Sequence, residues 1–422
     1  MKKKRSWMLL TVTGGDLFLA EGEEIKQQVV GNVPFGQINS ILEGKLERDG
    51  ERRKAVEEVE ENSNRVITGG GKRFRVALPY IMAQGLDLDY SDEELIEAFI
   101  PIEMAHGLSL VMDDMIDEDK KRRGMKTPHE RLKDQGYTDK QAESLVTLDV
   151  MQILSRAERA PLELDFLSRD QQVEITETIG DGITRLTRGQ ELDVAGENSM
   201  DEKFQERLSY RGDEFSYEMF YRDVVEGKTS PLFEAGPRIL EIMSGKELEN
   251  LHDYTRNLAK AFQIRDDILD ISGGEEKVSV TERPEEKGIG KDRYSDISEG
   301  TMTLPINYAF QLMDDEDWGQ MEAYVKELVD SENYLASVDD FFKVYGDRRE
   351  FLESVMKKDS PETYELQIAG KIIETTGALE KANQEALDYA ENAVENLEES
   401  GLDGEYGELL EDMAYFAATR SK

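Results

Sequence analysis

The sequence contains no cysteine in 422 residues. This absence excludes disulfides, thiol nucleophiles and thiolate metal sites. Cations are scarce as well, because 52 lysines and arginines stand against 92 aspartates and glutamates, for a net charge of -40. Such a chain is a poor partner for nucleic acid or anionic lipid, since both bind proteins through a surplus of positive charge.

Long apolar runs are also missing. Basic residues precede the apolar stretch from Trp7 to Val12, as in a signal peptide, but Gly14, Gly15 and Asp16 end it early. No run of about 18 apolar residues occurs elsewhere. We therefore expect no membrane span and a cytoplasmic protein.

A chain this acidic is either disordered or folded with a surface adapted to concentrated salt. Apolar residues make up 38% of the chain, and they recur at spacings of three and four through most of it. That period indicates amphipathic helices. We therefore expect an all-α, halophilic protein.

The sequence has no internal repeat and no change of composition strong enough to divide it. We expect an irregular segment at 1–35, followed by a single helical domain at 36–422. Residues 314–366 are acidic and weakly periodic, and we interpret them as an insertion within that domain.

Ser91 and Glu94 predict where the helix before the first acidic motif begins, because they match a capping box. Pro101 is predicted to kink or break this helix. A second helical stretch then runs from Ile102 to about Glu118.

A further helix is predicted over 246–272, where apolar residues including Leu251 and Leu258 form one stripe. Gly273 ends it. The following stretch, 273–300, is rich in glycine and charge and is predicted to be a loop.

Two segments repeat one acidic pattern, DDMID at 113–117 and DDILD at 266–270. In a helix, the first and last aspartate of each lie on one face, one turn apart. Such a pair suits magnesium, which keeps waters and takes other oxygens from substrate phosphates. The alternative is a solvated acidic face. Both patterns end apolar helices, where clustered carboxylates repel one another unless a cation joins them, so we favour a metal site.

Basic clusters flanked by glycine stand out in so acidic a chain. They lie at 69–75 (GGGKRFR), 120–124 (KKRRG), 227–230 (GKTS) and 290–292 (GKD). Glycine lets the backbone approach a phosphate, and arginine forks onto its oxygens. Taken singly, each cluster is more typical of a helix end balanced by local charge. His106 lies two turns before the first motif and on its face, where a core hydrogen bonder is the ordinary alternative to a ligand-binding residue.

Together these segments resemble the trans-isoprenyl diphosphate synthases, also called polyprenyl synthetases. The similar stretches, in family order, are GGGKRFR, IEMAHGLSLVMDDMIDEDKKRRGMKTPH, RGQELD, EGKTS, AFQIRDDILD and GIGKDRYSDISEG. The likeness covers roughly 60–310 well and 370–420 more loosely. It implies a single-domain, all-α isoprenoid synthase-type bundle around a central cavity, usually a homodimer.

The resemblance also implies the roles of individual residues. Six aspartates would hold three magnesium ions: Asp113, Asp114, Asp117, Asp266, Asp267 and Asp270. Isopentenyl diphosphate would be bound by Lys72, Arg75, His106 and Arg123. The allylic diphosphate would be bound by Arg122, Lys228, Thr229, Gln263 and Lys291, with Gln190 and Asp193 lining the cavity.

The implied reaction follows from these charges. The metals, with cations such as Arg122 and Lys228, would neutralise the departing allylic diphosphate. The remaining allylic cation would be attacked by the double bond of isopentenyl diphosphate, and a proton would leave. An apolar cavity would exclude water that quenches the cation.

The helix before the first motif indicates the product length. Short-chain members of the family block the tail with aromatic rings four and five residues before the first aspartate, where this chain has Ser109 and Leu108; Ala105 adds little bulk. Ile102 and Phe99 lie deeper, at three to four turns, and are expected to form the stop unless another helix does. The length of one isoprene unit is about the rise of one helical turn. We expect a twenty-carbon product, geranylgeranyl diphosphate, with twenty-five carbons as the alternative.

One position departs from the family pattern: Thr301 stands where a second lysine is usual. Two rivals remain. A non-catalytic subunit of a hetero-oligomeric synthase would typically lose an acidic motif, but this chain keeps both. A class I terpene cyclase would not need Lys72, Arg75 and Arg123, and it usually carries a different second motif.

Overall fold

The computed structural model describes residues 31–47, 53–69, 73–122, 124–196, 202–209, 215–273, 293–313, 318–319, 321–332, 338–358 and 360–420. Most of the predicted irregular segment at 1–35 and most of the predicted loop at 273–300 lie outside these ranges. Three predicted substrate-binding residues also lie outside them: Lys72, Arg123 and Lys291.

The described chain is built of helices, which confirms the all-α prediction. The first half contains α1 Phe35–Leu46, α2 Lys54–Thr68, α3 Phe74–Gly85, α4 Asp92–Ile116, α5 Pro128–Asp134, α6 Asp139–Arg159, α7 Arg169–Gly196 and α8 Glu202–Leu208. The second half contains α9 Tyr217–Lys228, α10 Ser230–Ser244, α11 Glu249–Ser272, α12 Ser295–Ser298, α13 Leu304–Leu312, α14 Met321–Glu332, α15 Val338–Val344, α16 Arg348–Met356, α17 Thr363–Thr375, α18 Ala378–Ser400 and α19 Gly404–Thr419. A 3-10 helix, Ala160–Glu163, follows α6.

One small hairpin interrupts the helical pattern. Strands β1, Lys121–Arg122, and β2, Met125–Lys126, pair antiparallel. Gly124 lies in the turn with a φ of 75°, a left-handed conformation that suits glycine. The hairpin follows the first acidic motif directly and folds Arg122 back toward it.

Helix α4 begins as predicted but does not stop as predicted. The Ser91 hydroxyl accepts from the Glu94 N–H at 3.3 Å, and the Glu94 carboxylate accepts from the Ser91 N–H at 2.8 Å, which confirms the capping box. Pro101 was predicted to kink or break the helix, and the break was wrong, because α4 is continuous over 25 residues. Proline removes one backbone hydrogen bond, but Ile100 and Ile102 are fully buried on either side of it, and that packing offsets the loss.

Helices α4 and α11 carry the two acidic motifs and lie within the core. Helix α4 packs against α2, α3 and α6, while α11 packs against α10, α18 and α19. Helix α4 is long and apolar enough to cross a membrane by length and composition, a feature that simple counting of apolar runs missed. Within its apolar window, 72% of the residues are buried inside the protein, as in the core helix of a globular domain.

The second acidic helix ends as predicted: α11 stops at Ser272, and Gly273 follows with a φ of 63°. Beyond it, the described part of 314–366 contains α14, α15 and α16. Trp318 packs there against Phe341 and Phe351, with ring centroids 5.3 and 5.5 Å away. The helices of this segment thus bury an aromatic cluster of their own. The interpretation of 314–366 as an insertion, and of 36–422 as one domain, stays a prediction.

Candidate active site

The first acidic motif lies at the end of α4. Asp113 is half-buried, Asp114 is fully buried, and Asp117 follows the last helical residue with its N–H bonded to the Asp113 carbonyl at 2.8 Å. The outer two aspartates are therefore one helical turn apart. The middle one is rotated away from them, into the protein.

Asp114 bridges the motif to the hairpin. Its Oδ1 accepts a hydrogen bond from Arg122 Nε. Its buried Oδ2 has no hydrogen-bond partner among the described residues. Burial raises the pKa of Asp114 to about 6, with repulsion from Asp119 and Asp113 adding to it and Arg122 opposing it. A carboxylate oxygen that is buried and unpaired is costly, so a cation beside Asp114 would stabilise its charged form.

The second motif repeats this arrangement on α11. Asp267 is buried, and its Oδ2 accepts from the Tyr221 hydroxyl at 2.6 Å while its Oδ1 accepts from Gln263 Nε2 at 2.9 Å. Burial raises the pKa of Asp267 to about 7; the two hydrogen bonds oppose this rise, and the charges of Asp266 and Asp270 add to it.

The outer aspartates of this motif contact the chain on two sides. Asp270 accepts from the Ser295 hydroxyl at 2.6 Å and from the N–H groups of Ser295 and Asp296 at 3.1 and 3.3 Å. Asp266 pairs with Arg420 Nη2 at 2.6 Å. The start of α12 therefore covers one end of the motif, and the end of the described chain covers the other.

Two consecutive residues connect the motifs. Lys228 Nζ lies 2.7 Å from Asp193 Oδ2 and 3.8 Å from Asp113 Oδ1, on the first motif's side. The hydroxyl of Thr229 donates to Gln263 Oε1 at 2.7 Å, on the second motif's side. Neighbouring Cα atoms are about 3.8 Å apart. The junction of α9 and α10 therefore holds both acidic helices around one region.

The charge of Lys228 is well supported in this position. Its burial alone would lower the pKa of the amine, but Asp113 and Asp193 together raise that pKa above its ordinary value. The amine therefore stays cationic beside the first motif. This is the property needed to hold an anion there.

A pair of glycines allows this approach. A Cβ placed on Gly189 of α7 would lie 2.2 Å from the Lys228 backbone nitrogen and 2.3 Å from the Gly227 carbonyl carbon. Any side chain at Gly189 would therefore push α9 away from α7. The close packing brings Lys228 within reach of Asp193, one turn further along α7.

The segment 69–75 presents Arg75 beside the second motif. Its guanidinium lies 4.6 Å from the centre of the Phe233 ring. Burial lowers the pKa of Arg75 to about 10, while the charges of Glu103 and Asp266 oppose that shift. Arg75 therefore keeps its positive charge near neutral pH. Its Nε is buried with no hydrogen-bond partner in the part of the chain described, so a donor remains for an anion.

Arg73 belongs to the same basic cluster, where sequence reasoning assigned it no role of its own, and the structure shows that it anchors the segment. It adopts a left-handed φ of 46° and is buried. Its side chain donates to Glu103 at 2.8 Å, to the Ile67 carbonyl at 2.8 Å and to Asn39 at 2.9 Å. These bonds hold an unfavourable backbone conformation and join the segment to α4 three residues before His106.

The positions predicted to set product length lie on α4 before the first motif. Ala105 and Leu108 are buried, while Ser109 and His106 are half-buried. Phe99 and Ile102, deeper along the helix, are fully buried. On one side of this stretch Ile67 of α2 packs so closely that a Cβ on the intervening Gly107 would meet it at 2.6 Å.

No group of three or more carboxylates or histidines among the described residues is close enough to hold a metal on its own. All six motif aspartates are described, so neither motif alone forms a complete cage. Magnesium usually keeps water ligands and takes further oxygens from phosphates. The donor set fits that behaviour, because each motif offers carboxylates and Asp114 has a buried oxygen without a partner.

Sequence reasoning missed several residues of the site. Tyr221, Arg420 and Ser295 contact motif aspartates from 46, 154 and 25 residues away along the chain: Asp267, Asp266 and Asp270 respectively. No local pattern marks these contacts. Only the cationic end of the chain, TRSK, was a visible signal in so acidic a sequence.

Comparison with known proteins gives one family. The model of the polyprenyl synthetase family matches residues 56–340. Geranylgeranyl diphosphate synthase from Methanosarcina mazei is 28% identical over 258 residues, 60% of this chain and 68% of that protein. Geranylfarnesyl diphosphate synthase from Natronomonas pharaonis is 26% identical over 376 residues, 85% of this chain and 89% of that protein. The crystal structure of a polyprenyl synthase from Caulobacter crescentus, complexed with calcium and isoprenyl diphosphate, superposes with a TM-score of 0.68 at 22% identity, covering 94% of this chain and 98% of that one.

Proposed function

Because the chain belongs to the polyprenyl synthetase family, we propose that it is a magnesium-dependent, all-trans polyprenyl diphosphate synthase that joins isopentenyl diphosphate to an allylic diphosphate. The observation that supports this best is the junction at Lys228 and Thr229. It joins the two acidic motifs through contacts to Asp113 and, by way of Gln263, to Asp267. A diphosphate between the motifs would meet cations and metal-binding carboxylates together.

Magnesium would be held by the six motif aspartates, in three ions as the family resemblance implies. When bound, it supplies positive charge that neutralises a departing diphosphate. Asp114 supports this assignment through its buried oxygen without a partner. The raised pKa values of Asp114 and Asp267 also support a cation in this region, because a nearby positive charge would favour the charged form of each carboxylate.

The chain's own cations would then orient the substrates. Lys228 and Arg122 would hold the allylic diphosphate beside the first motif, with Thr229 and Gln263 on the opposite side. Arg75 and His106, with Lys72 and Arg123 from outside the described ranges, would hold isopentenyl diphosphate. Lys291, also from outside the described ranges, would complete the allylic diphosphate site, and Gln190 would line the cavity.

The protein's contribution to the reaction is therefore electrostatic. The leaving diphosphate takes the electrons of its bond to carbon, and the cations around it stabilise that charge. The double bond of isopentenyl diphosphate then forms the new carbon–carbon bond, and a proton leaves to a base, which we assign to the departed diphosphate. The packed apolar side chains of α4 would keep water from the allylic cation.

Replacing one aspartate in each motif tests this proposal. Asp113→Ala and Asp266→Ala should each lower turnover by orders of magnitude, because the metals are held from both sides. Asp181→Ala, at an exposed carboxylate on α7, should leave turnover unchanged. Circular dichroism checks that each variant is folded. Near-normal turnover of either motif variant with magnesium present would contradict the proposal. It would mean that the motifs are solvated acidic faces.

We propose geranylgeranyl diphosphate, with twenty carbons, as the product, and geranylfarnesyl diphosphate, with twenty-five, as the alternative. Synthases named for each of these two products are among the relatives that are similar to the chain. Leu108 and Ser109 leave the wall of α4 without an aromatic stop. The deeper residues Ile102 and Phe99 lie about 9 and 13.5 Å along the helix from Leu108, at about 1.5 Å per residue.

A mutant pair tests the role of this helix. Leu108→Phe with Ser109→Phe should shorten the product to fifteen carbons, as measured by chromatography of the dephosphorylated alcohols. Leu312→Phe, at an exposed leucine on α13, is the control and should leave product length unchanged. A wild-type enzyme that stops at fifteen carbons, or an unchanged product from the double variant, would mean that another helix sets the length.

The same assay separates the two rivals. A terpene cyclase would convert an allylic diphosphate without consuming isopentenyl diphosphate, and a non-catalytic subunit would do neither alone. If the chain is a polyprenyl diphosphate synthase, Thr301 in place of the usual lysine would weaken its activity without abolishing it. A Thr301→Lys variant should therefore be at least as active as the wild type.

We also propose a cytoplasmic homodimer. Leu148 and Met151, on one face of α6, are 58% and 60% exposed. Side chains three residues apart on a helix are neighbours, so they form an apolar surface that a second copy would cover. Sedimentation of the wild type and of Leu148→Lys/Met151→Lys tests this, since the double variant should be monomeric.

A further inference from the structure

A tyrosine with a strained backbone lies directly beside the second acidic motif. Tyr294 has a φ of 72°, in the left-handed region, which bulky residues rarely adopt because their Cβ crowds the backbone. Glycine adopts this conformation without that cost. The side chain of Tyr294 is nevertheless buried. Strain of this kind persists only where surrounding contacts maintain it, and it is common at functional sites. The contacts of Tyr294 therefore indicate what the strain maintains.

The ring of Tyr294 is held in a notch on α17. A Cβ placed on Gly370 of that helix would lie 2.1 Å from Tyr294 Cε1, so the position can carry no side chain while the ring is there. The Arg293 guanidinium lies over the ring, 4.6 Å from its centre. Arg293 also pairs with Glu374 of α17 at 3.0 Å. The ring and the ion pair together fasten Arg293 and Tyr294 to α17.

The same two residues close the end of α11. Arg293 Nε donates to the Ile271 carbonyl at 2.8 Å, and the Tyr294 N–H donates to the Asp270 carbonyl at 3.1 Å. Both acceptors belong to the last turn of α11, where carbonyl groups have no partner within the helix. Tyr294 therefore connects α17 to the helix that carries the second motif.

The next two residues hold the side chain of Asp270. Its Oδ1 accepts from the Ser295 hydroxyl and the Ser295 N–H at 2.6 and 3.1 Å, and its Oδ2 accepts from the Asp296 N–H at 3.3 Å. The Ser295 N–H belongs to the planar peptide group that follows Tyr294. The backbone angles of Tyr294 therefore set the direction in which this donor points.

Helix α16, from the acidic segment 314–366, supports this arrangement. It packs against both α12 and α17, and α17 packs in turn against α11. Phe351 of α16 belongs to the aromatic cluster around Trp318 and is fully buried, as is Leu352. The helix that forms the notch is therefore held by packing on two sides.

We propose that Tyr294 is a positioning residue of the second acidic motif. Its ring, seated against Gly370, holds the backbone conformation that aims the Ser295 and Asp296 donors at Asp270. This rests on the proposed function, because Asp270 is one of the carboxylates that would hold magnesium. Groups that orient a metal ligand affect metal affinity although they do not touch the metal. Tyr294 acts in this way, through Asp270.

Replacing Tyr294 by glycine tests the proposal, because glycine keeps the left-handed backbone at no cost and removes only the ring. Hydrogen exchange of the metal-free protein, followed by peptide mass spectrometry, reports on the Ser295 and Asp296 amides. Manganese binding at a fixed concentration of inorganic diphosphate, followed by electron paramagnetic resonance, reports on the motif. In Tyr294→Gly the two amides should exchange about tenfold faster, and half-saturation should need about tenfold more manganese, as for other groups that orient a ligand. Tyr294→Phe keeps the ring and should match the wild type in both measurements.

The notch allows the same test from α17. Gly370→Ala leaves Tyr294 unchanged, but the added Cβ displaces its ring, so both effects should reappear. The double variant with Tyr294→Gly should be no worse than the stronger single variant, because both substitutions act on one contact. Tyr364→Ala is the matched control, since it removes a tyrosine ring of equal exposure, 9%, from the same helix. It should leave both measurements unchanged.

Wild-type exchange in Tyr294→Gly would overturn the proposal, and so would faster exchange with an unchanged half-saturation by manganese. Additive losses in the double variant, or equal losses in Tyr364→Ala, would also overturn it, because general loosening would then explain the effects. The exchange measurement needs neither metal nor turnover. It therefore decides whether Tyr294 holds the donors even if the wild type neither binds manganese nor turns over, a result that would contradict the proposed function instead.

Discussion

Tyr221→Phe removes one oxygen from the centre of the candidate active site. The hydroxyl donates to Asp267 Oδ2 at 2.6 Å, and both residues are buried. A hydrogen bond to a charged group contributes about 1.5–3 kcal/mol. Tyr221 favours the ionised form of Asp267 and so opposes the rise of its pKa. Without the hydroxyl, that pKa should rise by a further one to two pH units, at about 1.4 kcal/mol per unit.

The direction of the pH effect follows from linkage. The pKa of Asp267 is about 7 in the folded protein and about 3.9 in an unfolded chain. Between these values the folded state binds the extra proton, so metal-free stability falls as pH rises through that window. Tyr221→Phe extends the fall to higher pH. Its destabilisation should therefore be larger above pH 7 than near pH 4.

The assay is the magnesium concentration needed for half-maximal turnover, measured across pH, because magnesium binds the ionised carboxylate. Tyr221→Phe should need more magnesium than the wild type at mildly acidic pH, and the difference should shrink as pH rises. Tyr254→Phe is the matched control: this buried tyrosine on α11 donates its hydroxyl hydrogen bond to the Leu410 carbonyl at 2.7 Å, and not to a motif aspartate. If both variants give the same profile, or Tyr221→Phe keeps the wild-type profile, the argument is refuted.

Two further predictions concern the whole chain and one helix crossing. The net charge of -40 makes the folded state self-repelling, and screening shortens that repulsion to about 10 Å at 0.1 M salt; the melting temperature should therefore rise between dilute buffer and molar potassium chloride, and a flat or falling curve would contradict salt adaptation. Gly189→Ala should displace α9, and Lys228 with it, and should therefore lower turnover strongly. The control is Gly180→Ala on the same helix, which should be neutral because the added Cβ has no close neighbour. Equal activity of the two variants would mean that the crossing of α7 and α9 does not position Lys228.

The helical fold was predictable because its signals are local. A capping box at Ser91 and Glu94 needs only four residues, and the glycine after α11 needs one. The break at Pro101 was predicted wrongly. The backbone hydrogen bond that proline removes is a local loss, whereas the packing that offsets this loss comes from other helices. The burial of Ile100 and Ile102 depends on neighbouring helices, which the local sequence does not reveal. The hairpin after α4 was also missed, since two-residue strands carry almost no periodic signal.

The two repeated motifs mark a candidate metal site in the sequence, but the protein partners of their aspartates could not be predicted. Asp114 meets Arg122, eight residues away, and that contact lies within reach of sequence reasoning. Asp267 meets Tyr221 from another helix. An isolated tyrosine in an amphipathic pattern is ordinary core material, so only the packing of α9 on α11 reveals its role.

The two motifs also share a property that the pattern of aspartates suggests only indirectly. Helix geometry puts the first and last aspartate on one face and rotates the second by about 100°. In both motifs that second aspartate is the buried one: Asp114 is 0% exposed and Asp267 is 5% exposed. Burial raises the pKa of each, whereas Lys228 and Arg420 pair with the more exposed Asp113 and Asp266. Asp114 is also paired with Arg122, whereas Asp267 receives hydrogen bonds only from the neutral groups of Tyr221 and Gln263. Of the two buried carboxylates, Asp267 is therefore the one that depends more on positive charge brought in from outside.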